Sequence, residues 1–434
     1  MSSRSLTEFR PHGDGLTLDT QAIQDGIDAV HASGGGVLRI GPGEYLSGGV
    51  ILRDGVVLEL EAGATLTASA RYEDFLACEA ATSIEGSQHA LLYARGARGV
   101  GVRGRGRIRG NADRYFARRT QDETYRKPHR RRPRMILFEG CRDVVIEEVR
   151  IEQAPFWTIH LLACVDVSIL RVVVDNDLTM ANTDALDIDG CRRVRIADCR
   201  LSAADDGLCI KTTHREGSLA GPAEAIIVTG CNIRSTSCAI KIGTETFEDV
   251  SQVVVADCTL LSNRGIGLIS RDGGSIRNIL VSNVTFDCRM AGPEYWGKAE
   301  PVVVSAGRRL ATRAAGAIEH VRFANLSGDA DGAITLYAAD DSRVFDIVLD
   351  GIRVTQRANS STLQGSFDLR PVPASETGPD AAPGGGDAGV GSYPGGMPGF
   401  YAHGVRGLEL RDVQVHRPDP LPPLWNRESI VVTP

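Results

Sequence analysis

The sequence predicts an all-β protein, a right-handed, single-stranded parallel β-helix with a short N-terminal capping helix. Two observations predict this fold: short β-branched segments recur at a nearly constant spacing, and the composition favours turns. Gly occurs 49 times among the 434 residues, while aromatic residues make up only 5%. This balance favours many short strands joined by turns over a bundle of helices.

Six short apolar segments mark the repeat. They are residues 144–146, 167–169, 194–196, 226–228, 253–255 and 279–281. The last residues of successive segments are separated by steps of 23, 27, 32, 27 and 26. Periods of this length with β-branched residues are typical of a solenoid, in which each coil stacks on the next. A helical repeat would show an apolar rhythm of 3.6 residues, which is not visible here.

The cysteines follow the same rhythm. Cys141, Cys164 and Cys191 each stand three residues before a repeat segment. This offset predicts a ladder of buried, reduced thiols that act as small apolar side chains. The first residues, MSSRSLTEFRPHGDG, contain no apolar run that could act as a secretory signal, so we expect a cytoplasmic protein with its ten cysteines reduced.

One capping helix is expected near the N-terminus, over residues 20–33. Ile23, Ile27 and Val30 fall on one face, and Gly34 begins a glycine run that ends the helix. Further strands are expected at 36–43, 56–67, 321–323, 347–354 and 408–415. We expect a single β-helix domain over the chain, with the cap and first strands in 1–68, the main coils that carry the site in 69–355, and a long loop and C-terminal coils in 356–434.

Two insertions interrupt the repeat. Residues 114–134 are polar and basic; they could attract an acidic glycan, although a solvated loop is the better interpretation. Residues 365–399 are rich in Pro, Gly, Ala and Asp and predict a long loop, either disordered or forming a wall of the site.

The net charge of −7 predicts no general affinity for nucleic acid or for an anionic membrane. No stretch of about 18 apolar residues predicts a membrane span. An oligomer is possible.

Three aspartates carry the strongest chemical signal. Asp184 and Asp205 are 21 residues apart, close to one coil, so Asp184 and the adjacent pair Asp205 and Asp206 are expected on neighbouring coils that face the same groove. Crowded carboxylates shift one another's protonation, which separates an acid from a base as glycoside hydrolysis requires. Two alternatives are a turn role with ladder hydrogen bonds, which suits Asp187 and Asp189, and a Ca²⁺ site. We expect neither a metal nor a cofactor.

The chain resembles the polygalacturonase-like glycoside hydrolases, family 28 among them, within the pectin-lyase-like β-helix superfamily. The resemblance covers most of the length and depends on the segments RPRMILFEGC, APFWTIHLLAC, NTDALDI and ADDGLCIKT, after a GDG opening near the N-terminus. It implies that Asp205 is the general acid and that Asp184 and Asp206 hold and deprotonate the attacking water, with inversion. Asn182 would orient a carboxylate or a sugar hydroxyl, although a turn role is equally favoured.

Departures from the family pattern concern the substrate. The Gly-His-Gly of polygalacturonases is Ser237-Cys238-Ala239 here, and Gly267 and Ile269 stand where the family has the Arg and Lys that bind a uronate. The prediction is therefore a hydrolase of a pectin-related or other plant or microbial oligosaccharide, whose terminal sugar is neutral or deoxy and not galacturonic acid, although Lys241 and Arg271 could rebuild a carboxylate clamp. The insertions at 114–134 and 365–399 could block one end of the groove, which predicts exo action. The alternatives are a polysaccharide lyase and a non-catalytic glycan-binding β-helix.

Several other side chains are candidates for binding the substrate. Charged candidates near the inferred groove, which could equally form a solvated face, are Lys211, Lys241, Glu245 and Arg271. Trp296, and Tyr295 beside it, could stack on a sugar or pack within their loop. For Trp157 and His160, packing inside the coil is favoured over contact with substrate.

Overall fold

The chain forms two compact units, each a stack of parallel β-helix coils, and the expected fold class is confirmed. The structure, a computed structural model, describes residues 2–84, 87–118, 120, 124–292, 294–310, 312–339, 342–359, 365–371 and 389–434. The first unit comprises residues up to 205 together with 216–219, and the second comprises 206–215 together with 220–434.

Strands β1–β20 belong to the first unit. In chain order they are Ser2–Ser5, Asp14–Leu18, Gly36–Ile40, Gly43–Ser47, Val50–Ile51, Val56–Leu60, Ala64–Ala68, Glu79–Ile84, Ser87–Arg95, Gly101–Arg103, Arg107–Arg109, Arg134–Glu139, Arg142–Glu147, Arg150–Glu152, Ile159–Leu162, Val165–Leu170, Val173–Asp175, Leu186–Asp189, Arg192–Ala197 and Arg200–Ala203. Short 3-10 helices lie at Leu6–Phe9, Tyr72–Phe75, Ala112–Arg114 and Gly217–Leu219.

Equivalent residues of the predicted repeat pair with each other in successive coils. In β13, β16 and β19, Ile146 pairs with Ile169, and Ile169 pairs with Ile196, all in parallel. The three isoleucines are fully buried. Because side chains alternate across a strand, constant spacing in sequence places like residues in one inward row.

The predicted cap is helix α1, Thr20–Ala32. Ile23, Ile27 and Val30 are fully buried, as the helical spacing predicted. The helix stops before Gly34, whose backbone is left-handed with φ of 88°, a conformation that glycine adopts without strain.

The cysteine ladder is also confirmed. Cys141, Cys164 and Cys191 are fully buried, and the Cys164 backbone N–H donates to Cys191 Sγ over 3.3 Å. All ten cysteines of the chain are buried.

Strands β21–β35 belong to the second unit. In chain order they are Leu208–Thr212, Ala223–Thr229, Asn232–Thr246, Val250–Ala256, Thr259–Ser270, Ile276–Cys288, Val302–Ala306, Ile318–Ala330, Ile334–Ala338, Val344–Gln356, Ser366–Asp368, Val390–Ser392, Phe400–His403, Val405–His416 and Ile430–Thr433. The strands expected near 321, 347 and 408 lie within β28, β30 and β34, which are longer than the pattern indicated. Among the residues that the structure describes, no helix is long and apolar enough to cross a membrane.

The basic insertion at 114–134 is in part the solvated loop that was expected, because Arg114, Arg118, Lys127, Arg130 and Arg131 are exposed. Three other arginines have a different role. Arg126, Arg132 and Arg134 are buried, with 4%, 5% and 1% of their surfaces exposed. Arg132 donates to the backbone carbonyls of Pro155, over 3.1 Å, and Ala181, over 2.7 Å. These arginines therefore anchor the insertion to the coils and do not present a basic surface to a glycan.

The second insertion, expected over 365–399, is folded where the structure describes it, although residues 372–388 lie outside the described part. Strands β31 and β32 pair antiparallel, Phe367 opposite Gly391. Phe367 packs with Tyr393, Tyr401 and Trp425 in one buried cluster. We call residues 365–371 with β32 the wall.

Candidate active site

Asp184 lies at the end of the turn that joins β17 to β18. Its backbone carbonyl accepts from the Thr158 N–H over 2.8 Å, which fixes the turn to the preceding coil. Asn176 supports the turn from inside, donating to Thr158 Oγ1 over 2.7 Å and to the Thr183 carbonyl over 3.0 Å. The Asp184 side chain is held at a buried position, with 4% of the residue exposed.

Thr183 connects this turn to the turn that carries Asp205. Its hydroxyl donates to the Met180 carbonyl over 2.9 Å and accepts from the Ala204 N–H over 3.3 Å. Carboxylate oxygens of Asp184 and Asp205 lie within 4.8 Å of each other. Asp205 is partly exposed, whereas Asp184 is buried. The first unit thus brings two of the three expected carboxylates together, in different environments.

Asn182 has the turn role that was one of its two expected functions. Its backbone is left-handed, with φ of 56°, a conformation that Asn tolerates better than most residues. Its side-chain oxygen accepts from Arg132 Nη2 over 3.1 Å. The sequence did not point to Arg132, because a buried arginine within a basic run cannot be distinguished by sequence from an exposed one.

Asp187 and Asp189 are not turn residues, contrary to the alternative that suited them. Both lie in β18 and are buried, with 0% and 1% exposed. His160 Nε2 lies 3.4 Å from Asp189 Oδ2. Trp157 contacts the His160 ring edge-on, with centroids 5.1 Å apart. Both rings are buried, so packing, and not substrate contact, is confirmed for them.

Asp206 begins the second unit, and its partner there is Lys241 of β23. The Lys241 ammonium forms an ion pair with Asp206 Oδ2. Asp206 is 1% exposed and the Lys241 side chain 16%. An ion-paired cation offsets part of the cost of burying a carboxylate. The sequence placed Lys241 among the substrate ligands, whereas the structure pairs it with a candidate catalytic group.

Lys211 and Glu245 contact each other across neighbouring strands. Lys211 Nζ lies 3.7 Å from Glu245 Oε2, with 4% and 31% of the side chains exposed. Glu245 is the more accessible member of the pair.

Gly267 and Ile269, which stand where the family has its uronate-binding Arg and Lys, lie on a buried, mostly apolar surface. A Cβ added at Gly267 would lie 3.4 Å from both Cys238 Sγ and Ile269 Cδ1, and 3.5 Å from Arg264 Cδ. Burial raises the pKa of Cys238 to about 12, so this thiol stays neutral. The neighbours Cys238 and Ile269 are apolar, as expected, whereas the charges of Asp206, Lys241, Arg264 and Glu300 that act on Cys238 were not expected at this surface.

Arg271 is buried among oxygens of the protein, which corrects the expectation that its side chain lies at the groove. It is 1% exposed and its guanidinium makes five hydrogen bonds, to the Pro371, Ser270, Ser305 and Leu369 carbonyls and to Ser305 Oγ, over 2.7–3.0 Å. A guanidinium has five N–H donors, and these bonds occupy them. Burial lowers the pKa of Arg271 to about 9.

Trp296 lies in a loop that the wall holds in place. The neighbouring Gly297 N–H donates to Asp368 Oδ2 over 2.7 Å, and Arg370 donates to the same carboxylate while its guanidinium lies 6.0 Å from the Trp296 ring centre. Trp296 is partly exposed, whereas Tyr295 is buried, with 4% exposed. Stacking on a sugar therefore stays a prediction for Trp296, while Tyr295 has the packing role.

One row of paired residues leads away from Lys241 across the second unit. Lys241 pairs with Gly267, Gly267 with Val303, Val303 with Thr335 and Thr335 with Tyr401. The far end of this row is covered by the wall. Tyr393 forms a 2.7 Å hydrogen bond with Thr335 Oγ1, and Phe367 packs against Tyr401 with ring centres 5.6 Å apart.

The fold and the aspartate geometry can now be compared with known proteins. Residues 53–366 match the model of the glycosyl hydrolases of family 28. The chain belongs to this family. The match begins before β6 and extends to the first residue of β31, so it includes all three candidate aspartates.

Individual members of glycosyl hydrolase family 28 are distant relatives. A probable polygalacturonase of Vitis vinifera is 26% identical over 301 residues, which are 65% of this chain and 60% of that protein. The matched region thus spans less than two thirds of that relative. An exopolygalacturonase of Thermotoga maritima superposes with a TM-score of 0.69 at 21% identity, covering 82% of this chain and 87% of that one. A family 28 exopolygalacturonase of Yersinia enterocolitica gives a TM-score of 0.70 at 16% identity, covering 100% and 78%.

Proposed function

We propose that the chain is an exo-acting glycoside hydrolase that removes a neutral terminal sugar from an oligosaccharide. The observation that carries the hydrolase proposal is the pair Asp184 and Asp205, whose oxygens lie within 4.8 Å inside a family 28 fold. Membership of that family favours hydrolysis over the lyase and the non-catalytic alternatives.

The surroundings of the carboxylates support a division of roles. Asp205 is partly exposed, as a general acid must be to reach the glycosidic oxygen of a bound substrate. Asp206 is buried and forms an ion pair with Lys241. By the family resemblance, Asp184 and Asp206 would hold and deprotonate the attacking water. Environments that separate two carboxylates in this way are typical of acid and base assignments.

Exo action is supported by the wall. The row that begins at Lys241 continues through Gly267 to Thr335 and Tyr401, where Phe367 and Tyr393 cover it. A polymer that followed this row would meet these aromatic rings, whereas a chain end could stop before them. An enzyme so closed at one end releases single terminal units.

A neutral sugar is supported by the state of the cations in the second unit. Five of them have an acidic partner in the protein: Lys241 pairs with Asp206, Lys211 with Glu245, Arg264 with Glu300, Arg309 with Asp272 and Arg370 with Asp368. Arg271 is bound by five backbone and side-chain oxygens. A bound uronate would lose its hydration and require a positioned cation in return. The apolar surface around Gly267 suits a deoxy or neutral sugar instead.

Product analysis tests the proposal. Wild-type protein is incubated with polygalacturonic acid, with pectic oligosaccharides, and with neutral aryl glycosides such as α-rhamnosides and α-galactosides. We expect release of a neutral monosaccharide and little activity on polygalacturonic acid. Strong release of galacturonic acid with every neutral substrate inert would refute the neutral-sugar proposal, and an unsaturated uronide would indicate a lyase.

Variants of the aspartates test the roles. Asp205→Asn should abolish hydrolysis without unfolding the protein, because the amide keeps the shape but supplies no proton. Asp184→Asn and Asp206→Asn should each lower the rate at least about a hundredfold. Near-wild-type turnover by the Asp205 variant, with its circular dichroism unchanged, would show that Asp205 is not the acid.

Inversion, which the family resemblance implies, is part of the proposal. Carboxyl pairs of inverting glycosidases usually lie about 6.5–9.5 Å apart, and the oxygens of Asp184 and Asp205 approach more closely, within 4.8 Å. Proton NMR of the first-formed anomer decides the outcome: the anomer opposite to that of the substrate is expected, and the same anomer would indicate retention.

A further inference from the structure

Two buried arginines border the positions where family polygalacturonases bind a uronate. Arg264 lies within β25, three residues before Gly267, and Arg271 follows β25 directly, two residues after Ile269. They are 3% and 1% exposed. We call these two residues the arginine clamp, because both contact the segment 368–371 of the wall.

Arg271 holds the end of that segment. Its Nε donates to the Pro371 carbonyl over 2.9 Å and its Nη2 to the Leu369 carbonyl over 2.7 Å. Its other bonds go to Ser270 and Ser305 of the coils. One guanidinium therefore joins two coils to two carbonyls of a segment about a hundred residues later in the chain.

Arg264 holds the beginning of the segment. Its Nη2 donates to the Asp368 carbonyl over 3.0 Å, and its Nε lies 3.3 Å from Glu300 Oε2. Glu300 Oε1 in turn accepts from the Asp368 backbone N–H over 3.4 Å. The charge of Arg264 is met inside the protein by Glu300, which is itself 1% exposed.

We propose that the arginine clamp determines chain-end specificity, by fixing segment 368–371 as the wall that closes the row beginning at Lys241. The inference rests on the proposed function, since it concerns how a chain end is selected. The wall is a two-stranded antiparallel sheet with three residues in each strand, which is marginal alone. Beside the Phe367 cluster and the contacts of Asp368 with Gly297 and Glu300, its position depends on the guanidinium groups that bind its carbonyls.

Arg271→Met is the main test, because the apolar side chain keeps much of the volume and removes all five donors. Hydrogen exchange of peptides covering 365–371 should accelerate more than tenfold, while peptides from α1 stay unchanged. Reducing-end-labelled pectic oligosaccharides of defined length should then yield internal fragments beside the terminal monosaccharide. Turnover of the aryl glycoside that the wild type cleaves fastest should stay within about threefold.

Two further variants complete the design. Arg271→Lys keeps a charge but offers three donors, so its exchange and product pattern should lie between those of Arg271→Met and the wild type. Arg277→Met is the matched control, because Arg277 forms an exposed ion pair with Asp249 in the same unit, with 46% and 42% of the side chains exposed. This control should resemble the wild type in both measurements.

The outcomes separate the clamp from the proposed function. Faster exchange with monosaccharide as the sole product would overturn the role in specificity, and unchanged exchange in Arg271→Met would overturn the clamp. If Arg271→Met does not fold, Arg271→Lys decides by the same two measurements. A wild type inactive on every probe would refute the proposed function, and chain-end selection with it, while the exchange data would still show whether the arginines hold the wall.

Discussion

Replacing Thr183 by Val should lower both stability and catalytic rate. The Thr183 side chain is fully buried, and its hydroxyl bonds the Met180 carbonyl at 2.9 Å and the Ala204 N–H at 3.3 Å. Val has nearly the same volume but offers neither a donor nor an acceptor. Losing two net hydrogen bonds of about 1 kcal/mol each, and burying a group without its former partner at about 1–3 kcal/mol, gives about 3–5 kcal/mol.

The same hydroxyl sets the spacing of the candidate catalytic groups, because Thr183 precedes Asp184 and Ala204 precedes Asp205. A displacement of about 1 Å between reacting groups can cost about a hundredfold in rate. We therefore expect Thr183→Val to lower kcat at least tenfold on a substrate that the wild type cleaves.

Urea unfolding and steady-state kinetics measure the two effects, with Thr183→Ser as the control. Serine keeps the hydroxyl and loses one methyl, which should cost about 1 kcal/mol and leave the rate nearly unchanged. The reasoning would be refuted if the Val and Ser variants had equal urea midpoints and equal kcat.

Three other predictions concern metal, pH and thiols. Activity should survive exhaustive EDTA treatment, since carboxylates need no ion for acid–base work, and loss on chelation with rescue by Ca²⁺ would favour a lyase. Burial raises the pKa of Asp368, but the hydrogen bonds of Arg370, the charges of Arg264 and Arg370 and the Gly297 N–H together outweigh it, so the folded pKa lies below the ordinary value of 3.8. The stabilisation that ionised Asp368 contributes is complete above its ordinary pKa and is lost as the pH falls through its lower pKa in the folded protein. Proteolysis at 365–371 should therefore increase only in strong acid, and an increase already at pH 5 would contradict this. Burial raises the pKa of Cys78 and Cys238 to about 12, so thiol reagents should label the folded protein slowly. Protein expressed in a reducing cytoplasm should titrate ten thiols after denaturation, whereas fewer than ten would indicate disulfides.

The coils could be predicted from the sequence because their determinants are local. Each inward row has a β-branched residue at the same place in successive coils, so the spacing of Ile146, Ile169 and Ile196 is enough to predict their register. The acidic turns are similarly visible, since Asp184 and Asp205 are separated by about one coil. Their 4.8 Å approach follows from that spacing.

The roles of the arginines could not be predicted, because they depend on contacts that are distant in sequence. Arg271 bonds Pro371, a hundred residues later, and Arg132 bonds Ala181, forty-nine residues later. A charged residue in a sequence is normally expected to be exposed. An arginine can be buried where the fold directs backbone carbonyls towards its guanidinium. Neither composition nor periodicity indicates where those carbonyls lie.

Under the proposed function, the missing cations at positions 267 and 269 and the arginine clamp have one physical explanation. A buried cation is stable only when oxygens surround it, and in a uronate-binding site the substrate supplies some of them. For a neutral sugar, a cation at position 267 or 269 would lack that partner, and Gly and Ile avoid the cost. Arg264 and Arg271, at the borders of the same surface, are satisfied by Glu300 and by wall carbonyls. Under the proposed function, a variant such as Gly267→Arg should gain no uronate binding: its Cβ fits at ordinary contact distances of 3.4–3.5 Å from Cys238, Ile269 and Arg264, but the new cation would be added beside the side chain of Arg264, whose charge Glu300 already meets.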